Sequence, residues 1–366
     1  MTVAREGRTD IGSQRLPVRL ARRVVSAAIT HGASARAKST LARRAGGDSR
    51  LVVGPWAWEI GFEVLYWIPL LRGLFSLHGV EPERVVAVSR GGAGPWYAPM
   101  AGHYVDLLEW FSPEDLRAWH ERRTRGNRGQ KPRGVDGLDR LVLARLRELF
   151  PGDRLRLVHP SLMFKRFRTV WMHRRSIDLV RRESIYAPLE GAAAPAAPVL
   201  GDLPDDYVAV KAYFSDCFPD TSVNRAFVRA LVERLAERQP VVMLTTGFQM
   251  DDHSEPEGSE LPGVVQVRGS EAPVANLAVQ AEVIRRASAL VSTYGGFSYV
   301  GPFMGTSTFA FYSHQSFNTV HLDVMHNAIE ALNASGSRPH EAHLVTCSTR
   351  AFGLLDVFAG APAAHR

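Results

Sequence analysis

The stretch GPWAWEIGFE, residues 54–63, holds two carboxylates four residues apart, Glu59 and Glu63. A carboxylate on the wall of a cleft can take the proton of an acceptor hydroxyl as that oxygen attacks an electrophilic carbon. Glu59 lies in the loop that follows a short apolar run. Glu63 falls in the first turn of a helical pattern, where an acid also serves as cap or dipole partner. Glu59 is therefore the better general base, with Glu63 kept as the alternative. Trp56 and Trp58 flank Glu59. Aromatic faces pack on the C–H faces of sugar rings, and the same residues would equally pack a loop onto a core. A second Gly- and aromatic-rich loop, RGGAGPWYAPMAGHY, follows another strand pattern and offers Arg90, Trp96 and Tyr97 for the acceptor side.

The second set is STYGGFSYVGPFMGTSTFAFYS, residues 292–313. A buried strand ends at Thr293, two glycines follow, and a short helix begins. Glycine lets the backbone approach a ligand, and the first amides of a helix suit a phosphate. Tyr294, Gly295, Gly296, Phe297, Ser298 and Tyr299 are the phosphate-side candidates. Lys211 closes the strand pattern YVAVKAYF, and Thr245 and Thr246 close the next one, so all three should reach the same sheet edge. In QMDDHSE, residues 249–255, the adjacent Asp251, Asp252 and His253 could be read as metal ligands. Neighbouring side chains rarely converge on one ion, and a polar turn explains them more simply. We expect no metal and no resident cofactor. His321 and Asp323 follow the last strand pattern and could reach a cleft.

These residues need a scaffold that brings strand ends together. From Leu51 onward, short apolar runs alternate with helical patterns. Strands are expected at RLVVG, RVVAVSRGG, RLRLVHP, YVAVKAYF, PVVMLTTG, GVVQVRG, ALVST and STFAFYS. Helices are expected over 62–77, with a kink or an early break at Pro69, and over 224–238, 275–287 and 297–304. A basic surface loop is expected over 117–134. Such alternation means parallel sheets. The Pro- and Ala-rich residues 187–204 read as a linker. The expected division is a basic extension over 1–50, an acceptor domain over 51–186, the linker, and a donor domain over 205–366. The fold class is α/β, two Rossmann-like doubly wound domains facing a cleft.

The chain has 366 residues, 45% of them hydrophobic and 22% charged, as in ordinary globular proteins. Its net charge of +7 sits in residues 1–50, which carry 11 basic and 3 acidic groups; the remaining 33 basic and 34 acidic groups balance. A nucleic-acid enzyme would more often spread positive charge over a folded face, so no nucleic-acid partner is expected. Residues 15–30 form a basic amphipathic pattern that suits docking on an anionic membrane surface. Two cysteines make neither a disulfide framework nor a thiolate cage. No run of 18 apolar residues and no signal-peptide pattern is found, so the expected location is cytoplasmic, peripheral at the inner face of the plasma membrane if the basic helix docks there. The Arg, Ala and Gly bias suggests a bacterial source.

YGGFSYVGPFMGTSTFAFYS resembles the donor-side motif of heptosyltransferase-like glycosyltransferases of the GT-B fold. Gly296 and Gly305 match the family's glycines. Tyr294 stands where the family has Asp, Tyr299 where it has His, and Ser307 where it has Pro, so the family's donor contacts do not carry over. EIGFEVLYWIPLLR is similar in layout to the family's first loop and helix. The resemblance covers residues 51–75 and 205–315. It implies a nucleotide-diphosphate-sugar donor on the second domain, a glycan or lipid-linked acceptor of the cell envelope on the first, and inverting, metal-independent transfer with a Glu base. Polysaccharide pyruvyltransferases and nucleotide-sugar 2-epimerases share this architecture and are alternatives. A non-catalytic, membrane-recruited binding protein is another.

Overall fold

The computed structural model describes residues 15–123, 132, 134–191, 200–248, 254–256, 262–268, 273–336 and 340–347, the first ten of them as helix backbone only. Asp251, Asp252 and His253 lie outside the described residues, as do residues 192–199 of the expected linker.

Two parallel sheets organise the chain. The first contains β1 (Arg50–Val53), β2 (Val85–Ser89), β3 (His103–Asp106) and β4 (Leu155–Val158), in the order β3-β2-β1-β4. The second contains β5 (Val208–Lys211), β6 (Val241–Thr245), β7 (Val264–Arg268), β8 (Ala289–Thr293), β9 (Thr308–Tyr312) and β10 (Ala342–Thr346). Its order, β10-β9-β8-β5-β6-β7, is that of a doubly wound Rossmann sheet. The strands are Val-rich and β2, β5 and β8 are buried along their whole length, as parallel strands covered on both faces must be. The expected α/β architecture is present.

Helices cover both sheets. In the first half these are α1 (Arg15–Ala45), α2 (Ile60–Phe62), α3 (Ile68–His78), α4 (Gly94–Tyr97), α5 (Pro113–Arg123), α6 (Gly137–Leu149), α7 (Ser161–Trp171) and α8 (Asp178–Glu183). In the second they are α9 (Ser222–Ala236), α10 (Asn276–Arg286), α11 (Gly296–Phe303) and α12 (Val320–Ser335). Helix α1 is longer than the expected 15–30 segment; it packs chiefly on α7, and also on α3 and β4, burying Thr30, Ser34, Ala37, Leu41 and Ala45. The expected loop over 117–134 is helical up to Arg123. Strands β3 and β10 and helices α4, α6, α7, α8 and α12 have no counterpart among the expected elements.

The helix after β1 does not break at Pro69. A π-helical turn, Glu63–Trp67, joins α2 to α3 and places Pro69 in the first turn of α3. Proline has no N–H and crowds the preceding turn, and a widened turn relieves both problems. The stretch Ile60–His78 has the length and apolarity of a membrane span, yet 78% of it is buried inside the protein. It is the core helix of the first sheet.

One apolar cluster runs through both halves, from Leu51 and Trp67 to Phe303 and Leu332. Helix α12 returns to pack on α7, α8 and the π turn. Polar links cross the same seam. Asn318 Nδ2 donates to Trp171 O at 2.8 Å, Arg181 Nε to Asn327 Oδ1 at 2.5 Å, and Ala278 N to Gly91 O at 2.9 Å. The two sheets therefore meet with their strand ends facing one crevice.

Candidate functional site

In the second sheet, β5 and β8 are neighbours whose connections run in opposite directions. Lys211 is the register partner of Ser292 at this switch point. The crevice outside such strand ends is where doubly wound sheets bind ligands. Here it opens into two lobes. The larger, about 540 Å³, is lined by Phe62, Tyr66, Tyr299, Phe317 and His321 among others. The other, about 440 Å³, is lined by Arg90, Lys211, Thr246, Glu255, Asn276 and Phe297 among others. Glu59, Ser215, Ser254, Tyr294, Gly295 and Gly296 line both lobes, so they form the wall between them.

Glycines make this wall possible. Gly295 has φ +148°, a region that favours glycine, and a Cβ there would stand 2.1 Å from the Tyr213 hydroxyl. A Cβ on Gly296 would stand 2.3 Å from Ile60 Cγ2 and 2.9 Å from Gly61 N. The Gly-Gly turn of one half thus rests on the backbone of the other, next to Glu59. Gly296→Ala is expected to cost about 1–3 kcal/mol through this overlap. A melting curve checks it; an unchanged melting temperature would show that the two halves do not touch here.

Helix α11 begins at this contact. Ser298 Oγ accepts from Gly295 N at 3.2 Å and donates to Gly295 O at 2.7 Å, which caps the turn. The amides of Gly296 and Phe297 occupy first-turn positions, which have no carbonyl of their own helix to bond, so they favour an anion. Lys211 sits beside them, 1% exposed, with Nζ 4.7 Å from the Phe297 ring centroid. Nζ donates to Thr246 Oγ1 at 3.0 Å and to Glu255 Oε1 at 2.6 Å. Glu255 also accepts from the Thr246 amide at 2.8 Å. Burial alone would raise the Glu255 pKa, but Lys211 and the Thr246 amide outweigh it and hold the carboxyl below its ordinary range.

A carboxyl with a lowered pKa stabilises the fold above its unfolded pKa, and that stability is lost as pH falls through the folded value. Wild type should therefore melt several degrees above Glu255→Gln at neutral pH. The gap should close only below the ordinary value of 4.5. Melting temperature against pH for the two proteins checks this, and a gap independent of pH would contradict it.

Glu63 is placed differently from Glu59. It is fully buried and lines neither lobe. Ser89 Oγ donates to it at 2.5 Å, Tyr97 OH at 2.7 Å and Arg90 at 3.3 Å. Burial pushes its pKa up against these three partners. Arg90 also donates to Trp58 O, so Glu63 and Arg90 together pin the 56–63 loop.

The aromatic residues proposed for the acceptor side are core residues. Trp56 stacks on Trp67 at 5.8 Å and Phe164 at 6.4 Å. Trp58, Trp96 and Tyr97 are also buried, and Tyr97 spends its hydroxyl on Glu63. None of the four lines a lobe, because the loops that carry them fold inward over the first sheet. Arg90 faces the Lys211 lobe and not the other one. On the donor side, Tyr294, Gly295, Gly296, Phe297, Lys211 and Thr246 come together around the smaller lobe. Tyr299 faces the larger lobe and gives its hydroxyl to Tyr294 at 2.9 Å. Ser298 is a cap, and Thr245 bonds to Val267 O at 3.4 Å without reaching either lobe.

The larger lobe has its own aromatic wall, which the sequence did not disclose. Tyr294 lies 4.3 Å from Phe317, and Phe62 lies 5.3 Å from His321. Tyr66 OH and His321 Nδ1 are 2.6 Å apart across the seam. His321 reaches the cleft, whereas Asp323 turns toward a separate groove on the far side of α12. Of QMDDHSE, Ser254 and Glu255 are described, and both line the cleft: Ser254 lines both lobes and Glu255 the smaller one.

No protein-family model matches this chain, and no curated protein matches it by sequence. Among solved structures, the ADP-heptose lipopolysaccharide heptosyltransferase II of Escherichia coli is similar at 12% identity over 85% of this chain and 98% of that one, with a TM-score of 0.48. A family 9 glycosyl transferase from Veillonella parvula is similar at 14% identity over 84% and 88%, with a TM-score of 0.41. The UDP-GlcNAc 2-epimerase of Methanocaldococcus jannaschii is similar at 9% identity over 86% and 94%, with a TM-score of 0.35.

Proposed function

We propose that this chain is a glycosyltransferase that moves a sugar from a nucleotide-diphosphate donor to an acceptor hydroxyl, with Glu59 as general base. The observation that carries the reading is the position of Glu59 on the wall shared by two lobes. A base between two binding sites can accept the proton of a hydroxyl in one as that oxygen attacks a carbon presented from the other.

The smaller lobe suits the donor. The Gly296 and Phe297 amides and Lys211 would meet the diphosphate, with no metal required by the reading. Lys211 already holds Glu255, so the phosphate competes with that carboxylate for Nζ. The larger lobe suits a sugar-bearing acceptor, because aromatic residues line it: the half-buried Phe317 beside the more deeply set Phe62 and Tyr299. In the reaction the acceptor O–H bond breaks toward Glu59, the new C–O bond forms at the anomeric carbon, and the nucleoside diphosphate leaves with the bonding pair. Direct displacement of this kind inverts the anomeric centre. Contact between the two halves around Gly61 and Gly296 would keep water from taking the acceptor's place. A nucleotide-sugar 2-epimerase needs one lobe for one substrate, so the second, aromatic lobe favours transfer. The reading carries a cytoplasmic location with it.

A thermal-shift screen with UDP-, GDP-, ADP- and dTDP-linked sugars tests the donor. A ligand of the native state raises the melting temperature by mass action. One nucleotide class should raise it and lose its sugar in the presence of an acceptor. Stabilisation by none of the four would refute the donor assignment.

A further inference from the structure

A second polar groove, about 640 Å³, lies outside the cleft between the turn that follows α7 and the outer face of α12. Arg174, Arg175, Arg181, His173 and His326 line it, together with Asp323 and Glu330. Arg181 lies 3.8 Å from Glu330 and bonds to Asn327. Arg174 ties the groove to α1, donating to Ser26 O at 3.0 Å and Thr30 Oγ1 at 3.1 Å. On that same turn of α1, Val25 is 57% and Ile29 62% exposed. Farther along, α1 lies against α7 through its inner face. Helix α1 carries Arg15, Arg19, Arg22, Arg23, Arg36, Lys38, Arg43 and Arg44, and not one Asp or Glu.

A solvated helix mixes both signs, because opposite charges four residues apart support it. Lys38 lies 3.7 Å from Glu183 of α8, and the helix holds no carboxylate of its own, so an anionic surface would relieve the repulsion among its other charges. Two large apolar side chains standing in water beside that charge match the interfacial helices that insert a few apolar residues among lipid headgroups. We infer that α1 and the Arg174–Arg175 groove form a docking face for an anionic lipid bilayer, with Val25 and Ile29 entering the headgroup region and the groove meeting lipid phosphates. The inference goes beyond sugar transfer and stands independently of it. If the sugar-transfer reading also holds, a lipid-linked acceptor reaches the cleft from this side, because His321 of the larger lobe and Val320 of the groove share the first turn of α12.

Co-sedimentation of the full chain with vesicles tests it. Phosphatidylcholine vesicles containing about 30% phosphatidylglycerol should bind the protein at low salt, pure phosphatidylcholine vesicles should not, and salt should release it. The double substitution Val25→Asp with Ile29→Asp should weaken binding roughly tenfold or more, and Arg175→Glu should weaken it less. Both variants should keep the wild-type melting temperature, which separates lost docking from lost folding. Equal binding to neutral vesicles would overturn the inference. So would variants that sediment like wild type, or duplex DNA that binds the protein while anionic vesicles do not.

Discussion

Glu59→Gln is expected to lower turnover by about 10²–10⁴-fold, the range typical of a lost general base, while leaving nucleotide binding nearly unchanged. The amide is close in size to the carboxylate but cannot hold the acceptor's proton. The position makes the prediction specific: Glu59 opens α2 with its backbone carbonyl held by Trp56 Nε1 at 3.3 Å, and it is the carboxylate residue common to both lobes. Initial rates with saturating donor, beside a titration of the nucleoside diphosphate, separate the two effects. Full turnover in the variant would remove Glu59 as the base. Loss of nucleotide affinity along with turnover would make it a donor-binding residue instead.

The second large effect belongs to Glu63 and concerns stability. Glu63→Ala leaves the Arg90 guanidinium buried without its carboxylate and strands the hydroxyls of Ser89 and Tyr97. Removing one partner of a buried ion pair costs about 3–5 kcal/mol, because the remaining charge loses both water and partner. At the size of these domains that is a fall of roughly 10 °C in melting temperature. The loop that carries Glu59 should loosen as well, since Arg90 pins it through Trp58 O. Assayed well below its own melting point, the variant should retain measurable transfer. An unchanged melting temperature with abolished transfer would reverse the roles assigned to Glu59 and Glu63.

These two glutamates show how far the sequence could be read. Both stand in one ten-residue segment, and spacing alone separates loop from first helical turn. That was enough to prefer Glu59. It could not show that Glu63 is enclosed by Ser89, Arg90 and Tyr97, since those residues come from the next strand and helix. The parallel sheets were legible because buried strands such as VVAVS and ALVST contrast with the helical patterns between them. Strands β3 and β10 were not, because HYVD and AHLVT are short edge strands with mixed polarity. The tryptophans misled for a physical reason. An aromatic side chain in a Gly-rich loop has the same local pattern whether it faces a ligand or folds beneath its own loop. Only the neighbours of Trp56, which are Trp67 and Phe164, decide the matter. The acceptor-side rings come instead from α2 and the π turn, with Phe62 and Tyr66, and from residues 294–321, whose meeting depends on how the two halves pack.

The division of the cleft by Glu59 is the central claim, and a crystal structure of the chain with a bound nucleoside diphosphate tests it most directly. The phosphates should lie within hydrogen-bond distance of the Gly296 and Phe297 amides and of Lys211, with Glu255 displaced from Nζ and the lobe of Tyr66 and His321 left open for the acceptor. A nucleotide seated against Tyr66 and His321, with Lys211 still paired to Glu255, would contradict it.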